Sequence, residues 1–249
     1  MRIQRRLLVL CLGQLLACTS APPKKDPHLS IDLTRREGNT PSLAAALGQL
    51  DVPAVAERCG PAVVVILGNN KQGSGVILAG TQLVATNAHV VEGQSSLEIK
   101  LRDGRSFKGT LELADEKADL ALVRLPVGTY PTVELGDSDA LRAGEGVVAI
   151  GAPLGLEQTV SSGEIAALRQ AEGERFIQIS VPISRGSSGG GVFDRNSRLI
   201  GITTFSATAG QNLNFAMPSN RLKELLLKVK TLNTSSLETL ISRLRSING

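Results

Sequence analysis

Residues 177–202 read Ile-Gln-Ile-Ser-Val-Pro-Ile-Ser-Arg-Gly-Ser-Ser-Gly-Gly-Gly-Val-Phe-Asp-Arg-Asn-Ser-Arg-Leu-Ile-Gly-Ile. Two apolar runs, Ile177 to Ile183 and Val192 to Ile202, flank the small-residue segment Gly186-Ser187-Ser188-Gly189-Gly190. Small residues let a chain turn tightly and expose one side chain together with several backbone N–H groups. A nucleophilic serine needs that setting, because the donors that stabilise a developing oxyanion must be amides aimed at one point. Alone, the segment is weak evidence, since Gly/Ser clusters between periodic segments are ordinarily loops.

The same alternation of apolar run and turn extends outward in both directions. Ala62 to Leu67 is a continuous apolar run suited to a buried strand, and Gly73 to Leu78 follows a short polar turn. Leu97, Ile99 and Leu101 alternate with Glu98 and Lys100, and Asp103-Gly104 then supplies a hairpin signal. Leu120 to Leu125, Gly146 to Ile150, Phe176 to Val181, Val192-Phe193 and Leu199 to Thr203 continue the series. Short strands between turn signals predict an all-β unit, a sandwich or barrels. The core must be aliphatic, because the chain is 42% hydrophobic but only 2% aromatic and has no Trp. Near the C-terminus, Pro218-Ser219 marks a helix start, with Ser219 as the cap. Leu222, Leu225, Leu226 and Val229 then share one apolar face, and Leu237, Leu240, Ile241 and Leu244 repeat the spacing in a second short helix over residues 231–249. These helices are expected to pack on the second half of the β unit, with a partner or membrane role for the last one as the other reading. No internal sequence repeat is evident.

Two upstream segments give Ser188 its meaning. Thr86-Asn87-Ala88-His89-Val90-Val91 holds one of only two histidines, and Ala118-Asp119-Leu120-Ala121-Leu122-Val123 places a carboxylate at the head of an apolar run. The order His, Asp, Ser is one of the known orders of a nucleophilic triad. In that chemistry Ser188 attacks a carbonyl, His89 takes and returns the proton, and Asp119 holds the imidazole in the useful tautomer. The other histidine, His28, lies in a polar segment and is expected to be solvated.

These segments resemble the protease domain of the HtrA family of trypsin-like serine proteases. The resemblance also rests on Leu135-Gly136-Asp137-Ser138-Asp139 and on Val148-Ala149-Ile150-Gly151-Ala152-Pro153-Leu154-Gly155-Leu156. Gln158-Thr159-Val160-Ser161-Ser162-Gly163 and Asn214-Phe215-Ala216-Met217-Pro218-Ser219-Asn220 complete it, colinear from about residue 52 to residue 228. It implies two six-stranded antiparallel β-barrels, at about 60–130 and about 131–218, within a protease domain at 51–230. The triad His89, Asp119 and Ser188 would lie in the cleft between them. It places the oxyanion hole on the Gly186-Ser187-Ser188 turn, with the N–H groups of Gly186 and Ser188 as donors. In related enzymes the loop before the serine can flip and spoil this hole, so Arg185-Gly186-Ser187 is expected to make activity conditional. Pro182 stands where trypsin has an acidic pocket floor, and Asn214-Phe215-Ala216 is the expected opposite wall. Small or medium aliphatic P1 residues then fit better than Lys or Arg.

The N-terminus reads as an export signal. Arg2, Arg5 and Arg6 precede an apolar run from Leu7 to Leu16, too short to span a bilayer. Leu15-Leu16-Ala17-Cys18 resembles a bacterial lipobox, which implies cleavage after residue 17 and a lipid on Cys18; an ordinary signal with an incidental cysteine is the other reading. Thr19 follows the cysteine, which favours outer-membrane sorting over inner-membrane retention. Residues 18–50, with Pro22-Pro23-Lys24-Lys25-Asp26-Pro27, form the expected tether. Cys11 leaves with the signal, so Cys59 alone remains and no internal disulfide is expected. The net charge of +4 owes three charges to the signal arginines, which removes any electrostatic case for nucleic-acid binding. No clustered His or Cys ligands imply a metal, and the chemistry needs no cofactor.

The sequence departs from the family in several places. Only 29 residues follow Asn220, too few for the PDZ domain that most members carry. Family trimers often use aromatic residues near the domain's start, and Thr19 to Gly60 has none, so a homotrimer is open rather than implied. Ser187 stands where the family commonly has Asn, and Gly191 replaces a usual Pro. The leading reading is a lipid-anchored serine endopeptidase of the bacterial envelope that acts on unfolded or exposed polypeptides, in protein quality control. Two alternatives stand beside it: a catalytically silent polypeptide-binding protein on the same fold, and a processing protease dedicated to one substrate.

Overall fold

The computed structural model describes residues 50–69, 71–94, 96–152, 158–171, 173–183, 186–206 and 213–247, the last from 235 as backbone only. The signal segment, Cys18, His28, the tether up to residue 49, and Arg185 lie outside the described residues.

Twelve strands close into two antiparallel barrels. The first contains β1 (Val63–Leu67), β2 (Gln72–Ile77), β3 (Leu83–Thr86), β4 (Leu97–Lys100), β5 (Ser106–Asp115) and β6 (Leu120–Arg124), in the order β1-β2-β3-β6-β5-β4. The second contains β7 (Gly146–Gly151), β8 (Thr159–Ala171), β9 (Glu174–Ile179), β10 (Gly191–Phe193), β11 (Leu199–Ser206) and β12 (Asn214–Pro218). Its order, β10-β11-β12-β9-β8-β7, repeats the first barrel's connectivity, although the two halves share no evident sequence repeat. Closure leaves no long unpaired edge, which is how aliphatic strands of this kind avoid pairing with other chains.

Period-two alternation explains how strands that read as uninterrupted apolar runs are buried on both faces. Val64 and Ile66 of β1 join Ile77, Val84, Ile99 and Val123 inside the first barrel. Val63 and Val65, on the other face, join a cluster that reaches Val148, Ile150, Phe193 and Ile202 of the second barrel. In β7 the roles mirror these, since Val147 and Ala149 point into the second barrel with Ile165, Ile177, Ile179 and Val192. The shared cluster therefore cements the barrels to one another.

Helix α1 (Val52–Cys59), which the sequence pattern missed, also enters that shared cluster, through Val55 and Cys59. Its start is marked by Asp51, whose carboxylate accepts from the Ala54 amide at 3.1 Å, and by a proline in the first turn. Cys59 is fully buried, and burial pushes its thiol up to about 11, so it packs as a small apolar group and does not act as a nucleophile.

The C-terminal segment corrects the expectation of two short helices: after a single-turn α2 (Ala88–Val91), one continuous helix α3 runs Ser219–Ile247. No Gly or Pro falls between the two apolar stripes. The hydroxyls of Thr231 and Thr234 donate back to the carbonyls of Leu227 and Lys230, each at 3.0 Å, so these residues continue the helix. Ser219 does not cap it. Its buried hydroxyl donates to the Gly136 carbonyl at 3.2 Å, while Ser138 supplies the cap from outside by accepting the Asn220 amide at 3.0 Å. Asn220 Nδ2 adds a bond to Asp137 at 2.7 Å. Leu135–Asp139 and Pro218–Asn220 are thus a joint that seats α3 by Leu222, Leu225 and Val229 on the shared cluster.

Candidate active site

His89 sits on the one-turn helix α2, just after β3 delivers Thr86 and Asn87 to the barrel rim. Its carbonyl accepts from Lys71 Nζ at 2.9 Å, which steadies the turn. Asp119 closes the β5–β6 turn in a left-handed conformation, φ +48°, which a non-glycine residue adopts only when its surroundings enforce it. The enforcement is visible in four contacts. Asp115 accepts from the Ala118 amide at 3.2 Å, the Asp119 amide donates to the Glu116 carbonyl at 3.2 Å, and Asn87 Nδ2 donates to the Asp119 carbonyl at 2.9 Å. The His89 amide donates to Asp119 Oδ1 at 3.1 Å.

The side chains then meet. His89 Nδ1 lies 2.9 Å from both Asp119 carboxylate oxygens. An ionised carboxylate can only accept, so Nδ1 carries the proton and Nε2 is left as the basic nitrogen. Thr204 of β11 donates its hydroxyl to Asp119 Oδ2 at 2.6 Å, a contact from the second barrel that sequence reasoning did not find. Burial opposes the charged form of Asp119. The hydrogen bonds from His89, Thr204 and the His89 amide outweigh that cost and hold the carboxyl below its ordinary range.

Ser188 projects from the turn before β10. Gly186 and Gly189, at φ +89° and +85°, adopt the conformations that the turn requires of glycine. A side chain at Gly189 would strike the Ser74 carbonyl oxygen. The turn is bound to β11 by Gly189 N–H to Thr203 O at 2.9 Å and by the Thr203 hydroxyl to Ser187 O at 2.6 Å. The Ser188 hydroxyl donates to the Thr204 carbonyl at 3.2 Å, so Thr204 touches Ser188 with its backbone and Asp119 with its side chain. One residue thereby links the two barrels' contributions. Among the described residues, the Gly186 and Ser188 amides have no hydrogen-bond partner, while Ser187 is buried.

The expected pocket residues separate. Pro182 lines a small cavity with Ile183, Ala149, Gly151, Ser161, Ser187 and Thr203, a lining without any acidic group. Asn214 is buried and donates to the Val181 carbonyl at 2.6 Å, and Ala216 shares its face. Phe215 falls on the opposite face of β12, edge-on to Phe176 at 6.4 Å, in a groove with Lys117, Arg169 and Leu213. Successive residues of a strand alternate sides, so Asn214, Phe215 and Ala216 cannot line one wall together. No group of three or more His, Cys, Asp or Glu side chains placed to hold a metal occurs among the described residues.

Two closed six-stranded antiparallel barrels of this kind define the trypsin-like fold. The sequence family of the trypsin-like peptidase domain matches residues 73–202, just over half of the chain, and the chain belongs to that family. Within it, the similarity is to HtrA proteins. The chain is 35% identical over 195 residues to serine protease HTR4 of Rattus norvegicus, covering 70% of this chain and 40% of that protein. It is 42% identical over 168 residues to the probable periplasmic serine protease do/HhoA-like of Haemophilus influenzae, covering 63% and 36%. Among solved structures, the HtrA-type protease AlgW with tripeptide superposes with a TM-score of 0.67 at 34% identity, covering 72% of this chain and 63% of that one. The chain thus spans about 40% of the length of curated relatives such as the rat protein.

Proposed function

We propose that this protein is a serine endopeptidase that hydrolyses unfolded or exposed polypeptides through His89, Asp119 and Ser188. The observation that carries the proposal is the His89–Asp119–Thr204 chain, which orients the imidazole through Nδ1, while the Thr204 carbonyl receives the Ser188 hydroxyl. On substrate binding, the Ser188 hydroxyl exchanges its bond to the Thr204 carbonyl for one to His89 Nε2 and attacks the scissile carbonyl. The Gly186 and Ser188 amides receive the oxyanion, and His89 passes the proton to the leaving amine. Water then repeats the sequence to release the acyl group. A peptide laid as an added strand along the cleft gives sequence-tolerant binding through its backbone.

The export signal, the lipobox-like Leu15-Leu16-Ala17-Cys18, and relatives described as periplasmic support a lipid-anchored protease of the bacterial envelope. The lining around Pro182 supports small aliphatic P1 residues. The test is incubation of the protein lacking residues 1–18 with unfolded casein beside Ser188→Ala. Cleavage that disappears in the variant is expected. A folded protein that binds casein without cutting it would establish the silent-binding alternative instead.

A further inference from the structure

Ser74 is a polar side chain with no exposure at all, in a strand that ends in the buried Val76 and Ile77. A buried hydroxyl costs stability unless both its donor and its acceptor capacity are used. Ser74 uses both, and neither partner belongs to its own barrel. Its Oγ donates to the Gly186 carbonyl at 2.8 Å and accepts from the Ala152 amide at 2.9 Å. Its backbone adds two more ties, N–H to the Ser188 carbonyl at 2.8 Å and C=O from the Thr86 hydroxyl at 2.7 Å. One residue of the first barrel therefore holds both residues whose amides would receive the oxyanion.

We infer that Ser74 is a positioning residue that keeps the oxyanion turn in its working form by fixing the Gly186 carbonyl. The inference rests on the protease reading above. Glycine has a wide range of accessible backbone conformations, and among the described residues no hydrogen bond holds the Gly186 N–H. The peptide after Gly186 is anchored by Ser74, and the peptide before it carries the N–H donor. Releasing the anchor leaves both Gly186 torsions adjustable and lets the donor swing away. The same hydroxyl ties the turn to the Ala152 amide, one residue past β7, so the end of β7 and the serine turn are held by one group.

The test compares the wild type, Ser74→Ala and Ser74→Thr, all of which keep the backbone ties. The readouts are kcat and KM on a fluorogenic casein-derived peptide, labelling of Ser188 by a fluorophosphonate, and thermal unfolding. Loss of one oxyanion donor lowers kcat by about a hundredfold or more, and a displaced donor is expected to cost about 10- to 100-fold. KM should stay within about threefold, because the donor acts on the transition state and not on the bound substrate. Ser74→Thr, which restores the hydroxyl, should recover most of kcat. If the alanine variant does not fold, Ser74→Cys fills the same space with a weak donor and should show the same loss. An unchanged kcat in a folded Ser74→Ala or Ser74→Cys overturns the inference, as does a loss carried by KM or one fully explained by a lower folded fraction. A wild type that the fluorophosphonate does not label at Ser188 overturns the protease reading itself, and the inference with it. Labelled wild type with an undiminished variant overturns the inference alone.

Discussion

At the scale of single residues, the site is defined by hydroxyl groups as much as by the three residues that the chemistry names. Thr204 donates to Asp119 while its carbonyl receives Ser188. Hydrogen bonds to a charged group are worth about 1.5–3 kcal/mol, against about 1 kcal/mol for neutral ones. Thr204→Val keeps the shape and removes the donor, so kcat is expected to fall about 10- to 100-fold with the fold intact. Steady-state kinetics alongside circular dichroism checks this, and unchanged kcat would show that His89 alone suffices to orient Asp119. His89 and Asp119 were legible as isolated signals because His is rare in this chain and Asp119 stands at the head of an apolar run. Thr204 was not, since a threonine in a strand has no local mark to distinguish it from any other strand residue.

At the scale of elements, two segments quoted for the family resemblance serve the fold. Leu135–Asp139 and Pro218–Asn220 meet far along the sequence to start α3 (Ser219–Ile247), with Ser138 accepting the Asn220 amide. Ser138→Ala leaves that half-buried amide without its side-chain partner. The expected cost is about 1 kcal/mol, in the range of a lost helix cap, read as a lower urea midpoint with unchanged m-value. Activity per folded molecule should not change. The helix count was misread for a related reason. The polar stretch Asn233-Thr234-Ser235-Ser236 looks like a break, but it contains neither Gly nor Pro and its threonine bonds backward within the helix.

At the scale of the whole molecule, the shared apolar cluster decides behaviour. It contains residues from both barrels, α1 and α3, so no barrel can lose its packing without exposing the other. Thermal unfolding followed by far-UV circular dichroism and by activity loss should give a single coincident transition. That stability should depend on pH in a definite direction. Hydrogen bonding by Arg124 holds the Glu112 carboxyl below its ordinary range, and Asp119 is held low despite its burial. As pH falls, such groups take up protons in the unfolded chain before the folded one. Their contribution is therefore full above the ordinary carboxylate range, about pH 4, and is lost as pH drops through the lowered folded values. Urea midpoints should stay level from pH 7 to about pH 5 and fall steeply below about pH 4; a loss already complete at pH 5 would contradict it.

The sequence by itself determined that the chain would form short aliphatic strands and a glycine-rich turn carrying Ser188, and it singled out His89 and Asp119 as the candidate partners of that serine. Those are properties of local composition and of residue types whose chemistry is narrow. Barrel closure was readable only by resemblance, because periodicity reports which face of a strand is buried and not which strand pairs with which. The tertiary structure alone assigned Thr204 and Ser74, each bonded to residues far away in the chain. It also decided that Asn214 and Ala216 look inward while Phe215 meets Phe176 on the other face, because the register of β12 against β9 sets which of the two alternating faces is inward. A hydroxyl or a ring has the same sequence signature wherever it points, and only the folded chain fixes its direction.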